Sequence, residues 1–123
     1  ALECTAAEPA CEHRTDDDLD RLRGLVSRQR REAKGGDVAA FLEADEAFHR
    51  ALAEAAGMPT LLRLLDQLGA FVRLARLGQP TPQRHMVALA REHDHLVDLL
   101  EAGDGPALEA ALAEHIRSTA LRD

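Results

Sequence analysis

Residues 37–57 read DVAAFLEADEAFHRALAEAAG, and their spacing decides the fold class. Asp37 is a helix N-cap residue and Gly57 a C-terminal stop, so the stretch predicts one helix bounded at both ends. At about 100° per residue, Val38, Phe41, Leu42, Leu52 and Ala56 fall on a single apolar stripe. Such a stripe needs other apolar faces to bury it, and the sequence on either side supplies them. Thr15 and Asp18 resemble a capping box, opening a helix that runs to about Lys34 and stops at Gly35-Gly36. Before it, residues 2–13 read as a weaker helix disturbed by Pro9. Pro59 suits the first turn of a fourth helix ending at Gly78. The run Gly78-Gln79-Pro80-Thr81-Pro82 is the longest loop signal. A fifth helix covers about 82–102 and stops at Gly103. Asp104 caps a sixth, with Pro106 in its first turn, which reaches about Leu121. Short connections between helices predict antiparallel neighbours, so the fold class is all-α, an antiparallel bundle of six to seven helices over residues 1–123 as a single domain.

Composition agrees. The chain has 123 residues, one domain's worth, and 46% of them are apolar. Ala (23) and Leu (20) dominate, whereas Val and Ile together number six and Tyr and Trp are absent, which disfavours strands. Lys and Arg number 15 against 22 Asp and Glu, a net charge of −7 with His neutral. Phosphate recognition rests on cationic side chains, so this balance argues against DNA, RNA or an anionic membrane as direct partners. No window is apolar enough to span a bilayer, and no signal peptide is visible. The chain starts at Ala1, which fits an internal piece of a longer cytoplasmic protein. Cys4 and Cys11, seven apart in one helix, would stand about 10.5 Å apart, beyond disulfide reach, as reduced packing residues.

Polar residues sit where core belongs. In the 37–57 helix, Asp45 and His49 lie within about 20° of the centre of the stripe and are neighbours at i and i+4. In the fifth helix His93 is in the middle of the stripe of Met86, Leu89, Leu96, Val97 and Leu100, with His95 on the opposite face. In the sixth, Leu108, Ala111, Leu112 and Thr119 flank His115. Burying such groups alone is costly, so they need partners. Two accounts stand on the residues alone. A divalent transition metal, Zn, Ni, Fe or Mn, would satisfy all four at once and keep open positions for water or a ligand carboxylate. Hydrogen-bonded core histidines and a local Asp45–His49 ion pair would also satisfy them. Arg76 falls on the stripe of Leu61, Leu65, Leu68 and Val72, where it either snorkels at the helix end or reaches an anion near the metal. Arg73 and Arg50 are further candidates for that task. Gly-rich phosphate loops, CxxC pairs and nucleophile elbows are absent from the sequence.

The segment Asp45-Glu46-Ala47-Phe48-His49-Arg50-Ala51-Leu52-Ala53-Glu54-Ala55-Ala56-Gly57 resembles the D-x-x-F-H-x-x-(I/L)-A-x-A-(A/S)-G-N pattern of the FCD domain, the effector-binding domain of FadR-subfamily GntR transcription regulators. Glu92-His93, Leu96 and Gly103-Asp104 are similar to its E-H-x-x-I segment. Ala107, Ala111 and His115-Ile116 resemble its closing helix, and Leu2-Glu3, Ala6-Ala7 and Thr15-x-x-Asp18-Leu19 its start. Met58 stands where the family has Asn, and Pro9 where it prefers Leu or Ala. The resemblance implies a metal, zinc first, on Asp45, His49, His93 and His115. It also implies a small organic-acid effector held by metal and Arg, a homodimer, and DNA contact only through an N-terminal winged helix-turn-helix domain that this chain lacks. No catalysis is expected. Two other functions compete. A metalloenzyme could use the same three His and one Asp, but superoxide chemistry usually draws on nearby aromatics and a proton donor, and the chain has three Phe as its only aromatics. A metal-free helical interaction domain would use the four residues for packing alone.

Overall fold

The computed structural model describes residues 3–77 and 80–121, and within these all side chains except those of residues 3, 70, 72, 73, 77 and 119–121. A 3-10 turn, Glu3–Ala6, precedes six α-helices: α1 Ala7–His13, α2 Asp16–Gly35, α3 Val38–Ala56, α4 Pro59–Leu77, α5 Gln83–Ala102 and α6 Gly105–Leu121. No strand occurs among the described residues.

Local chemistry sets the boundaries. Thr15 Oγ1 accepts from the Asp18 amide at 3.1 Å and Asp18 Oδ2 accepts from the Thr15 amide at 2.9 Å, completing the capping box. Asp37 and Asp104 cap α3 and α6 in the same way, through the amides of Ala40 and Ala107 at 3.0 Å. Gly57 and Gly103 end α3 and α5 at φ of 68° and 74°, a left-handed conformation that a side chain would resist. The first helix departs from expectation. It is a 3-10 turn followed by a two-turn α-helix, because Pro9 cannot donate to the Thr5 carbonyl and its ring would crowd that oxygen. Cys4 and Cys11 therefore lie in different elements, both as partly buried free thiols.

Helix α3 packs against α1, α2 and α4, α2 also against α5, and α6 against α1 and α5. Arginines tie this frame together. Arg14, between α1 and α2, donates to the carbonyls of Leu100 and Glu101 at 3.0 and 2.9 Å, placing a cation at the end of α5 where free carbonyls collect. Arg23 of α2 bridges Asp94, Asp98 and Glu101 along α5.

The apolar core is split in two. One cluster gathers Leu22 and Val26 of α2, Phe48 and Leu52 of α3, Leu96, Val97 and Leu100 of α5, and Leu108 and Leu112 of α6. The other holds Ala33 of α2, Phe41 and Leu42 of α3, and Met86, Leu89 and Ala90 of α5. Between them each of these three helices contributes a buried polar residue: Gln29, Asp45 and His93. A polar layer thus crosses the bundle.

Helix α4 is less buried than its stripe suggests. Leu61 is buried, but Leu64, Leu68, Phe71 and Leu74 are exposed, Phe71 by 74%. The helix carries apolar residues around much of its circumference and packs closely on α3 alone, so one face remains uncovered among the described residues.

Candidate metal centre

The candidate ligands in this layer come from three helices, α3, α5 and α6, each offering one turn to the same point. Asp45 and His49, one turn apart on α3, face His93 of α5 and His115 of α6. His49, His93 and His115 each bring one ring nitrogen into a cluster whose members lie within 4.8 Å of one another. Asp45 Oδ1 is 3.4 Å from both His49 Nε2 and His93 Nε2, and the Nε2 atoms of His93 and His115 are 3.1 Å apart. Donors at about 2.0–2.1 Å from one ion, at tetrahedral or octahedral angles, stand about 2.8–3.4 Å from each other. These three separations fall in that range, and the His49 ring nitrogen lies within 4.8 Å of those of His93 and His115. Phe48 stacks on His93 with ring centroids 4.3 Å apart and planes 11° from parallel, forming an apolar wall.

Charge in the layer is set by burial and neighbours. Burial opposes ionisation of Asp45, but the neighbouring His49, His93 and Arg76 outweigh it and hold its carboxyl well below the usual carboxylate range. Burial pushes His93 well below the ordinary imidazole value, with Asp45 offsetting part of the effect. Burial likewise lowers His115, against the pull of Glu92. The arrangement therefore offers one anionic carboxylate and two imidazoles, His93 and His115, biased toward the neutral, ligating form. A borderline divalent cation fits this donor set.

Of the three arginines named from sequence, Arg76 reaches this layer. Its Nη1 lies 2.6 Å from Asp45 Oδ2, with 27% of the side chain exposed. Arg50 is on the outer surface, engaged by Glu54 at 3.3 Å and by Asp66. The Arg73 side chain lies outside the described residues. His95 is exposed, as its opposite-face position predicts.

Two residues of the site escaped the sequence reading. Gln29 Oε1 is 2.8 Å from His93 Nδ1, and Glu92 Oε2 is 2.6 Å from His115 Nδ1. Gln29 was legible in principle, since it shares a helical stripe with Leu22, Val26 and Ala33. Glu92 lies off the apolar stripe, and its one sequence signal is its place beside His93 in the Glu92-His93 motif. Beside it, a cleft of about 500 Å³ opens between α5 and α6, lined in part by Arg91, Glu92, His115 and Ser118, which leads from solvent to the Glu92–His115 pair.

The profile described as FCD domain matches residues 1–118. This chain belongs to the FCD domain family. The resemblance carried by the Asp45–Gly57 and Glu92-His93 segments holds: the domain is of the kind found in GntR-type transcription regulators. The probable D-xylose utilization operon transcriptional repressor of Paenarthrobacter nicotinovorans is 34% identical over 97 residues, covering 79% of this chain and 42% of that protein. The HTH-type transcriptional regulator LutR of Bacillus subtilis is 27% identical over 120 residues, 94% of this chain and 54% of the relative. The HTH-type transcriptional repressor NanR of Cronobacter sakazakii is 29% identical over 119 residues, 95% and 45% respectively. This FCD domain thus spans about half the length of the curated relatives it matches. Among solved structures, E. coli McbR/YncC superposes with a TM-score of 0.86 at 24% identity, covering 98% of this chain and 57% of that one, a likeness of fold.

Proposed function

We propose that this FCD domain senses a small organic acid on behalf of a transcription regulator, through a divalent ion held by Asp45, His49, His93 and His115. The observation that carries the reading is the convergence of three imidazoles, their ring nitrogens within 4.8 Å of one another, with the Asp45 carboxylate 3.4 Å from two of them, inside an otherwise apolar core. Zinc suits the nitrogen and oxygen donors first, with nickel, iron or manganese as substitutes. When bound, the ion supplies a Lewis-acidic anchor for a ligand carboxylate. Asp45 keeps the site anionic enough to retain a dication, and Arg76 adds a second cationic group at its edge. In this reading the domain binds and does not catalyse.

Operator DNA would be contacted by a helix-turn-helix domain outside this chain, since a net charge of −7 gives the sensing domain little to offer phosphates. Ligand binding would act by favouring one of two conformations of the assembled regulator. The homodimer implied by the family has a candidate surface in Leu64, Leu68, Phe71 and Leu74 of α4. No described helix is long and apolar enough to cross a membrane, which fits a regulator working in the cytoplasm.

Calorimetric titration of the zinc-loaded domain with a panel of small carboxylates tests the proposal. A carboxylate should bind the zinc-loaded form, more weakly in Arg76→Ala and not in chelator. Absence of any binding, or equal binding with and without zinc, would overturn it.

A further inference from the structure

We propose that Gln29 and Glu92 are positioning residues, each holding one imidazole as the Nδ1–H tautomer so that His93 and His115 turn Nε2 acceptors toward a common point. The inference deepens the metal-centre reading and names the residues that aim two of its donors.

With the Gln29 amide oxygen toward His93, one proton assignment follows for each neutral ring. An amide oxygen accepts and does not donate, and Gln29 Oε1 lies 2.8 Å from His93 Nδ1. A carboxylate oxygen also accepts, and Glu92 Oε2 lies 2.6 Å from His115 Nδ1. Each Nδ1 therefore carries the proton. A neutral imidazole has only one, so both Nε2 atoms present lone pairs. Yet these atoms approach to 3.1 Å, and Asp45 Oδ1, a third acceptor, is 3.4 Å from His93 Nε2. Acceptors facing acceptors in a buried layer is a poor arrangement for a protein core and the right one for a cation.

A core without a metal would do better with an imidazole donating Nε2–H to Asp45 or to the other ring. Gln29 and Glu92 hold the rings away from that solution. Gln29 shows the cost plainly. It is fully buried, and its Nε2 has no hydrogen-bond partner among the described residues. Stability alone disfavours a half-satisfied amide in the core; aiming His93 explains its presence. The two orienters also come from unexpected places. Gln29 sits on α2, which contributes no ligand, and Glu92 sits on α5 but serves the ligand on α6.

Long-range proton–nitrogen correlation spectra of the nitrogen-15-labelled domain test this directly, recorded in chelator above the imidazole titration range. His93 and His115 should both be protonated at Nδ1. Gln29→Met should release His93 from that tautomer and leave His115 unchanged, and Glu92→Leu should do the reverse. Glu92→Gln, which keeps an acceptor oxygen, should restore the wild-type signature at His115. Zinc affinity should fall about 10- to 100-fold in Gln29→Met and Glu92→Leu. An Nε2–H tautomer at either ring of the wild type, or tautomers unmoved by both deletions, would overturn the inference. The wild-type spectrum decides even where a variant does not fold. Nδ1–H tautomers in a domain that binds no zinc would uphold the orienting role and refute the metal reading; tight zinc binding with Nε2–H tautomers would do the opposite.

Discussion

Arg76 Nη1 lies 2.6 Å from Asp45 Oδ2, joining the end of α4 to the polar layer at the centre of the bundle. Asp45 thus divides its oxygens: Oδ2 faces Arg76, while Oδ1 is the oxygen nearest His49 and His93. The same carboxylate balances a fixed cation on one side and, in the proposed function, a metal on the other. Among the described residues helix α4 packs closely on α3 alone, so this ion pair is a polar link between it and the site.

Removing Arg76 leaves Asp45 buried with one cation fewer. Arg76→Ala should destabilise the metal-free domain by on the order of 2–3 kcal/mol, below the usual loss for a fully buried pair because 27% of the Arg76 side chain is exposed. With zinc present the loss should shrink, since the ion compensates the carboxylate. Chemical denaturation with chelator and with zinc measures both. Equal losses in the two conditions would show that no cation shares Asp45 with Arg76.

Acid should destabilise the domain early. His93 and His115 both have folded-state pKa values depressed by burial, so the unfolded chain takes up protons first as pH falls. Their contribution is complete above the unfolded value of about 6.5 and is lost progressively as pH drops through that value toward the folded ones. The slope should be up to about 1.4 kcal/mol per pH unit for each histidine still neutral in the folded state. Denaturation midpoints in chelator between neutral and mildly acid pH check this. A flat profile would mean that the histidines titrate alike in both states.

The apolar face of α4 should govern self-association. Phe71 is 74% exposed and Leu68 47%, so charging either removes little packing within one copy. Leu68→Glu and Phe71→Glu should keep the melting temperature within a few degrees while shifting the sedimentation profile from dimer to monomer. A wild-type domain that sediments as a monomer at all concentrations, or variants that remain dimeric, would assign the face another role.

Much of this architecture is readable from local residues. Thr15, Asp37 and Asp104 are caps and Gly57 and Gly103 are stops because their chemistry acts within one turn of the chain. Projection at 100° per residue also brings Asp45, His49, His93 and His115 inward, because each lies in an otherwise apolar stripe. What escaped depends on tertiary partners or on subtler local strain. Gln29 reads as one polar residue among arginines until its alignment with Leu22, Val26 and Ala33 is followed across the whole helix. Glu92 has no inward signal, since it reaches His115 from the flank of α5. The target of Arg76 is fixed by where α4 meets α3, and its long side chain could have turned either way. Pro9 was legible as a disturbance of the first helix, but not the form that disturbance takes, a 3-10 turn at Glu3–Ala6 ahead of α1.

Elemental analysis of the domain, purified without chelators or metal-affinity columns, tests the central claim most directly. The account predicts about one equivalent of a divalent transition metal per chain, lost in Asp45→Ala and in His115→Ala. A wild-type domain free of metal, with a melting temperature indifferent to both zinc and chelator, would contradict it.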